Sequence, residues 1–345
     1  MLNAVTAPDV INMLRIGTIE IASSCMLAPL AGVSDLPFRL LNRRFGCSFA
    51  FTEMVSARAL TYDNKNTLHK MLATDPADRP LGIQLLGNNP EVLRAALDKL
   101  RDRECEYAII DFNAACPVTK VTAKNEGASL LREPKKLREL LTVVVNYSSV
   151  PVTVKIRSGW DAASVNARDV ALHAQDAGIH GLFIHGRTRE QGYQGRVDYQ
   201  VIYEVKKALR IPVIASGDAL SPQLVKKLFD ETGCDGVAIA RGALGNPWLF
   251  RDTQEFLETG SNPRRPDMQE IADTMIAHLN LCVAFHGEGT GTPIFRKFFN
   301  WYTKGLHEIR ELRCRAYQAK TQKEMIAIIN QVRLSCWDPG LSHRA

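Results

Sequence analysis

Polar side chains recur in this sequence at the ends of short apolar runs, and their types are those of a site that handles charge. Gln84 lies on one such run, and Lys155-Ile-Arg157, His185-Gly-Arg187, Ser216-Gly217-Asp218 and Arg241-Gly242 close four others. Packing alone gives no reason for Gln, Lys, His and Arg to stand in turn at the same place. The glycines after Ser216 and Arg241 suit backbone N–H groups and a helix start that seat a phosphate, with Arg241 adding charge. Tight turns without a ligand are the other reading of those glycines. A phosphate seat combined with polar donors from Gln84 and Lys155 suits a flavin mononucleotide (FMN), with the donors over its ring system. Cys116 stands in a polar loop between Asn113 and Pro117. A cysteine so placed acts as a nucleophile, as a proton donor, or in neither role. No Ser/His/Asp order supports acyl chemistry. The run Gly287-Glu-Gly-Thr-Gly-Thr lacks the third glycine of a dinucleotide fingerprint and follows a helical pattern, so it fails that test. No C-x-x-C occurs, and neither a zinc nor an iron–sulfur site is expected.

The runs that must position these groups are Cys25–Leu30, Ser48–Thr52, Leu81–Leu85, Tyr107–Asn113, Val152–Ile156, Gly181–His185, Pro212–Ala215 and Gly236–Ala240. They are continuous rather than alternating, as in parallel strands buried on both faces. Helical patterns lie between them: Pro90–Leu100, Pro134–Val144 and Ser221–Phe229 begin at or next to a Pro or Ser. Eight such units over about 220 residues predict a TIM (β/α)8 barrel, with a doubly wound sheet as the rival. Leu14–Ala22 reads as a hairpin on the barrel floor. The domain reading is a loose segment over 1–13, an FMN-binding barrel over 14–255, a small helical bundle over 256–337 and a frayed tail over 338–345. Within the bundle, helices are predicted at Met268–Phe285, Ile294–Leu306 and Thr321–Leu334, with the Gly-rich run ending at Pro293 as a break.

The chain has 345 residues, 46% hydrophobic and 23% charged, with a formal charge of +6. That excludes long disorder and a fibrous repeat. Between Ile294 and Arg333 nine Lys/Arg face three Glu, a local surplus equal to the charge of the whole chain. Such a run is either a solvated helix face or a footprint for a phosphate backbone. No apolar stretch approaches the ~18 residues of a membrane span, and no secretory signal is evident. Eight cysteines without paired spacing suit a reducing cytoplasm.

Taken in order, these motifs resemble the bacterial tRNA-dihydrouridine synthase family. The resemblance rests on Ala28-Pro-Leu-Ala-Gly-Val-Ser-Asp-Leu-Pro-Phe-Arg39, Gln84-Leu-Leu-Gly87, Asp111-Phe-Asn-Ala-Ala-Cys-Pro117, Lys120-Val121 with Gly127, and Val154-Lys-Ile-Arg157. It continues through His185-Gly-Arg-Thr188, Ser216-Gly-Asp218, Arg241-Gly-Ala-Leu-Gly-Asn-Pro-Trp248 and Arg296-Lys-Phe-Phe-Asn-Trp-Tyr302. Asp230–Phe250 is most similar to the B-type branch, and His185–Tyr193 has a C-type flavour. The resemblance implies FMN-dependent reduction of the uracil C5=C6 bond in the tRNA D-loop, with NADPH as reductant. It implies that Cys116 is the acid that protonates C5 while the flavin gives hydride to C6. It makes Pro29, Leu30, Ala31, Gln84, Lys155, His185, Ser216, Gly217, Asp218, Ala240 and Arg241 cofactor-binding. It makes Asn113, Arg187, Arg296 and Lys297 substrate-binding, in a cytoplasmic monomer that grips tRNA with its basic tail and involves neither a membrane nor an obligate protein partner.

Three positions depart from the family pattern. Ala114-Ala115 replace a bulky residue and Gly before the cysteine, Ser216 replaces Asn before Gly-Asp, and Ala240 replaces Gly before the arginine. A Cβ at residue 240 reduces close approach at the phosphate seat. The departures imply weaker FMN retention. They also keep two alternatives open: a flavin barrel acting on a free small molecule, and an inactive RNA-binding relative.

Overall fold

Apolar runs that do not alternate need cover on both faces, and closing them into a cylinder wrapped by helices supplies it. The computed structural model describes residues 13–62, 70–101 and 107–337. Of the segment read as loose over 1–13, residues 1–12 lie outside the described residues, as does the tail read as frayed over 338–345. The chain opens with an antiparallel hairpin of β1 (Leu14–Ile16) and β2 (Ile19–Ile21). There follow β3 (Cys25–Leu27), β4 (Ala50–Phe51), β5 (Val55–Ser56), β6 (Leu81–Leu86), β7 (Ile109–Asn113) and β8 (Val152–Arg157). The set ends with β9 (Gly181–His185), β10 (Val213–Ser216) and β11 (Gly236–Ile239). β3, β4 and β6 to β11 pair in parallel in chain order, and β11 returns to β3, which closes an eight-stranded barrel and removes the doubly wound alternative. β5 is an extra two-residue strand that pairs with the far end of β6, Val55 opposite Leu85.

The floor of the barrel is sealed by side chains. Met26, Phe49, Phe51, Ile109, Phe183, Ile214 and Ala238 form one buried cluster with Leu14, Ile16 and Ile21 of the hairpin. Phe51 meets Phe49 and Phe183 edge-on, with centroids 5.1 and 5.3 Å apart. Gly82 is required opposite it, because a Cβ there would fall 2.4 Å from the Phe51 ring. With this end filled, polar residues are left to the C-terminal ends of the strands.

The helix Leu249–Thr259 runs through residue 255, where the sequence suggested the domain boundary, and the Pro-containing connection occupies 260–267. The tail then forms helices Met268–His286, Glu288–Tyr302, Arg310–Gln318 and Gln322–Val332. Two of these correct the sequence reading. The Gly-rich run to Pro293 is the start of a helix, not a break, and the break is Gly287 alone, at φ 76°. Gly291 packs on the preceding helix, where a Cβ would come within 2.5 Å of the Cys282 carbonyl oxygen, so that glycine serves close helix approach. Arg310–Gln318 was not anticipated, since it carries no apolar stripe and of its residues only Ala316 is buried. The tail is fastened to the barrel by a Phe38–Phe298 ring stack at 5.6 Å and by His286 Nε2 at 2.8 Å from Asp35. No helix among the described residues is long and apolar enough to cross a membrane.

One buried ion pair holds the region behind β4 and β6. Arg39 and Asp78 are 1% and 0% exposed and meet at 2.8 Å. Arg39 also donates to the carbonyls of Ser34 and Ala73, and Arg43 donates to the Asp78 carbonyl. Burial holds the Asp78 carboxyl above its usual range despite both arginines. Truncating one partner strands the other's charge. Asp78→Ala is therefore expected to cost about 3–5 kcal/mol of unfolding free energy by denaturant titration, far more than an exposed Asp→Ala control.

Candidate active site

The strand ends converge on a cavity of about 330 Å³ at the C-terminal mouth of the barrel. It is lined by Ala28 to Ala31 after β3, Met54 between β4 and β5, Gln84 on β6, and Asn113 with Ala115 to Val118 after β7. Lys155 and Arg157 on β8, His185 and Tyr193 after β9, Ser216 to Leu220 after β10, and Ala240 to Gly242 after β11 complete it. All eleven residues expected to hold a cofactor, together with Asn113 and Cys116, therefore line one space.

A chain of hydrogen bonds runs under its floor. Thr153 Oγ1 and Gln84 Nε2 each donate to Asp111 at 2.7 Å, and Asn113 Nδ2 donates to Gln84 Oε1 at 2.7 Å. Asn113 Oδ1 accepts from the Ala115 and Cys116 N–H groups at 3.0 and 2.9 Å. Burial pushes the Asp111 carboxyl up to about 6, against the pull of Gln84, Thr153 and Lys155.

The Cys116 loop is pinned from two further sides. Arg157 donates to the Ala115 carbonyl at 2.8 Å and, across the loop after β9, to those of Thr188 and Gly192 at 3.0 and 2.9 Å. Gly127, at φ 61°, lies against the loop, where a Cβ would stand 2.9 Å from the Cys116 carbonyl oxygen. Burial raises the Cys116 thiol above its ordinary value, with a backbone hydrogen bond and Arg157 working against it. The sulfur is therefore a thiol at neutral pH and not an activated thiolate.

Cations share the cavity lining with Cys116. Lys155 Nζ donates to Ser216 Oγ at 3.2 Å, and burial first, then Arg157, pushes its ammonium down to about 8. His185 is driven to about 2 by burial and by Lys155, Arg157, Arg187 and Arg241, so it is neutral. Its Nδ1 lies 3.5 Å from Ser216 Oγ, and its Nε2 is buried without a protein partner. An unpartnered buried acceptor or donor at a cavity wall fits a bound polar ligand. At the β10 and β11 ends, Gly217 has φ 124° and Asp218 φ 52°, the latter a conformation a non-glycine residue holds only with support. Arg187 gives that support through bonds of 2.9 and 2.6 Å to Asp218, and Arg241 adds one of 2.9 Å. Ala240 has φ −112°, so its side chain costs no left-handed strain, and Ser216 fills its departure from Asn by accepting from Lys155.

The structure separates three expected substrate-facing residues from the cavity wall. Arg187 is 2% exposed, is absent from the lining, and spends its remaining donors on the Gln194 and Gly195 carbonyls. Arg296 caps the tail internally by donating to the Ala319 carbonyl. Lys297 reaches from the tail to the Gly32 carbonyl beside the mouth. The sequence reading placed Arg157 at a charged strand end without assigning it a ligand, and gave Tyr193, Met54, Asp111 and Thr153 no role. Arg157 had a visible signal, its position two residues beyond Lys155 on the same face of β8. Tyr193, whose ring sits under Arg241 at 4.7 Å, comes from an irregular loop that carries no such signal. Among the described residues no cluster of His, Cys, Asp and Glu could hold a metal ion.

Comparison with known proteins gives consistent results. The family profile described as Dihydrouridine synthase (Dus) matches residues 26–335. The tRNA-dihydrouridine synthase B of Xanthomonas axonopodis pv. citri is 38% identical over 315 residues, 91% of this chain and 94% of that protein. The protein of the same name from Pseudomonas aeruginosa is 37% identical over 320 residues, 93% and 96% of the two chains. Among solved structures, 6-hydroxypseudooxynicotine amine oxidase from Pseudomonas geniculata N1 superposes with a TM-score of 0.56 at 13% identity, covering 78% of this chain and 52% of that one, a likeness of fold alone.

The packing at Gly127 yields a test. Gly127→Ala is expected to lower stability by roughly 1–2 kcal/mol, the cost of a Cβ in the left-handed region plus a shifted loop. The alkylation rate of Cys116, followed by peptide mass spectrometry, should change with it while that of exposed Cys314 does not.

Proposed function

The chain belongs to the dihydrouridine synthase family, and on that premise we propose that it reduces the C5=C6 bond of specific uridines in the tRNA D-loop, with FMN bound in the barrel mouth and NADPH as reductant. The observation that carries the reading is one cavity lined at once by the Cys116 thiol, by Lys155, Arg157 and Arg241, and by the flavin-site motifs. Pro29, Leu30, Ala31, Gln84, Lys155, His185, Ser216, Gly217, Asp218, Ala240 and Arg241 would hold the cofactor, its phosphate among the glycine-bearing ends of β10 and β11. When bound, FMN supplies the hydride for uracil C6.

The chain's own groups do the rest. Reduction at C6 leaves negative charge on C5 and O4, and a proton source must stand beside C5. Cys116 keeps its proton at neutral pH because burial raises it, and this loop presents it to the cavity. Neutral His185 offers its free Nε2 without adding charge, while Lys155 and Arg157 supply the positive field that favours the developing anion. Asn113 lines the cavity with its amide engaged by Gln84 and the loop N–H groups, and would meet the uracil as part of that floor. Arg187, first read as a substrate contact, acts by holding Asp218. The target base must leave its stack, at a cost of a few kcal/mol, which phosphate contacts by the basic tail would offset; Arg296 and Lys297, read as part of that grip, are bonded to the Ala319 and Gly32 carbonyls and serve there by holding the tail in place. The reaction fits a cytoplasmic monomer.

Flavin absorbance of NADPH-reduced protein, followed without oxygen, tests the reading. Unmodified tRNA should reoxidise the flavin rapidly and free uridine should not; equal rates with free uridine would point to a small-molecule enzyme. Cys116→Ala should slow reoxidation by about 10²–10⁴-fold, the range for losing a positioned acid. Lys155 carries its charge below about 8 and loses it above. FMN affinity, measured by flavin fluorescence, should therefore fall as pH rises through about 8, and in Lys155→Met it should be weaker and flat across that window.

A further inference from the structure

Asp111 does not line the cavity, yet it is fully buried and ends the hydrogen-bond chain that reaches Cys116. The direction of every link is held from both ends, by N–H groups that can only donate at one and by the Asp111 carboxyl that accepts from Gln84 and Thr153 at the other. The N–H groups of Ala115 and Cys116 can only donate, so Asn113 must turn its oxygen to them and its nitrogen to Gln84. Gln84 must then turn its oxygen to Asn113 and its nitrogen to Asp111. The chain is satisfied only if residue 111 ends it with an acceptor. Thr153 Oγ1 occupies the second carboxylate oxygen and holds the group in its plane.

The geometry points to Asp111 as a positioning residue that acts through Gln84 and Asn113 to fix the amide directions on the cavity floor and the Cys116 loop above them. Asp111 touches no reacting atom. It sets which face of Gln84 and Asn113 the cavity meets, and where the thiol stands. The catalytic meaning of the inference rests on Cys116 being the proton donor. The amide readout below does not, so failure of either reading is distinguishable from failure of the other.

The test is hydrogen exchange at the Ala115 and Cys116 amides of the full chain as purified, with peptide-resolved alkylation of Cys116 alongside. Asp111→Leu removes the acceptor, and exchange at both amides should rise roughly tenfold or more, the loss of about one hydrogen bond. Asp111→Asn keeps one oxygen for Gln84, and the Thr153 hydroxyl can rotate to accept from the new amide, so protection should stay near that of the parent. Gln84→Met breaks the chain in its middle with Asp111 intact and should reproduce the Asp111→Leu result. It carries the test if Asp111→Leu does not fold. Protection retained in Gln84→Met, or lost equally in Asp111→Asn and Asp111→Leu, would overturn the inference.

Discussion

Four cationic side chains gather at the mouth of this barrel, Lys155, Arg157 and Arg241 in the cavity wall and Arg187 buried behind it, with the carboxylates Asp218 in the wall and Asp111 beneath the floor. Like charges so close in a partly buried space are unfavourable unless each is bound. Much of the local architecture follows from that constraint. Arg157 is spread over three carbonyls, Arg187 is clamped to Asp218, the Lys155 ammonium is pushed down to about 8, and His185 is kept neutral altogether. The residual field is positive and faces the cavity. An anionic ligand bearing a phosphate relieves it, which is why the family reading and the electrostatics agree without either being derived from the other.

The barrel was legible because its strands are short, apolar and evenly spaced, and because helix starts such as Ser221-Pro222 are strong local signals. Its chemistry was legible because one end of almost every strand carries a polar residue that the closed cylinder must place on a single rim. What escaped has a physical reason in each case. β5 is two residues long and owes its existence to pairing with β6, a tertiary effect. Helix Arg310–Gln318 buries little, so no periodicity announces it. The start of Glu288–Tyr302 violates local propensity, and Gly291 is tolerated because contact with the Cys282 backbone requires it. Arg187 and Arg241 look alike in sequence, each following a strand with a glycine beside it. Only the fold tells the buried strut from the cavity-lining one.

The departures from the family pattern are absorbed locally. Ser216 joins Lys155 to the Ile184 carbonyl and lies beside His185, so the shorter side chain still ties β8 to β9 and β10. Ala114 and Ala115 are both buried, and the loop they begin is held by Asn113, Arg157 and Gly127 rather than by their own side chains. Positioning by neighbours makes the identity of those two residues less consequential than their small size.

The seam between barrel and tail has an evolutionary corollary. It is built from pairs with one member on each side: Phe38 with Phe298, Asp35 with His286, and Gly245, whose missing side chain lets the Trp301 backbone approach. Phe38 and Asp35 belong to the same motif that runs on from the cavity wall at Ala28 to Ala31. A lineage that changes how the tail meets RNA must therefore keep step with the first loop of the barrel. Chimeras that swap tails between relatives should inherit their fit from the residues that immediately follow the first barrel strand, so the unit of exchange is the tail together with that loop, not the tail alone.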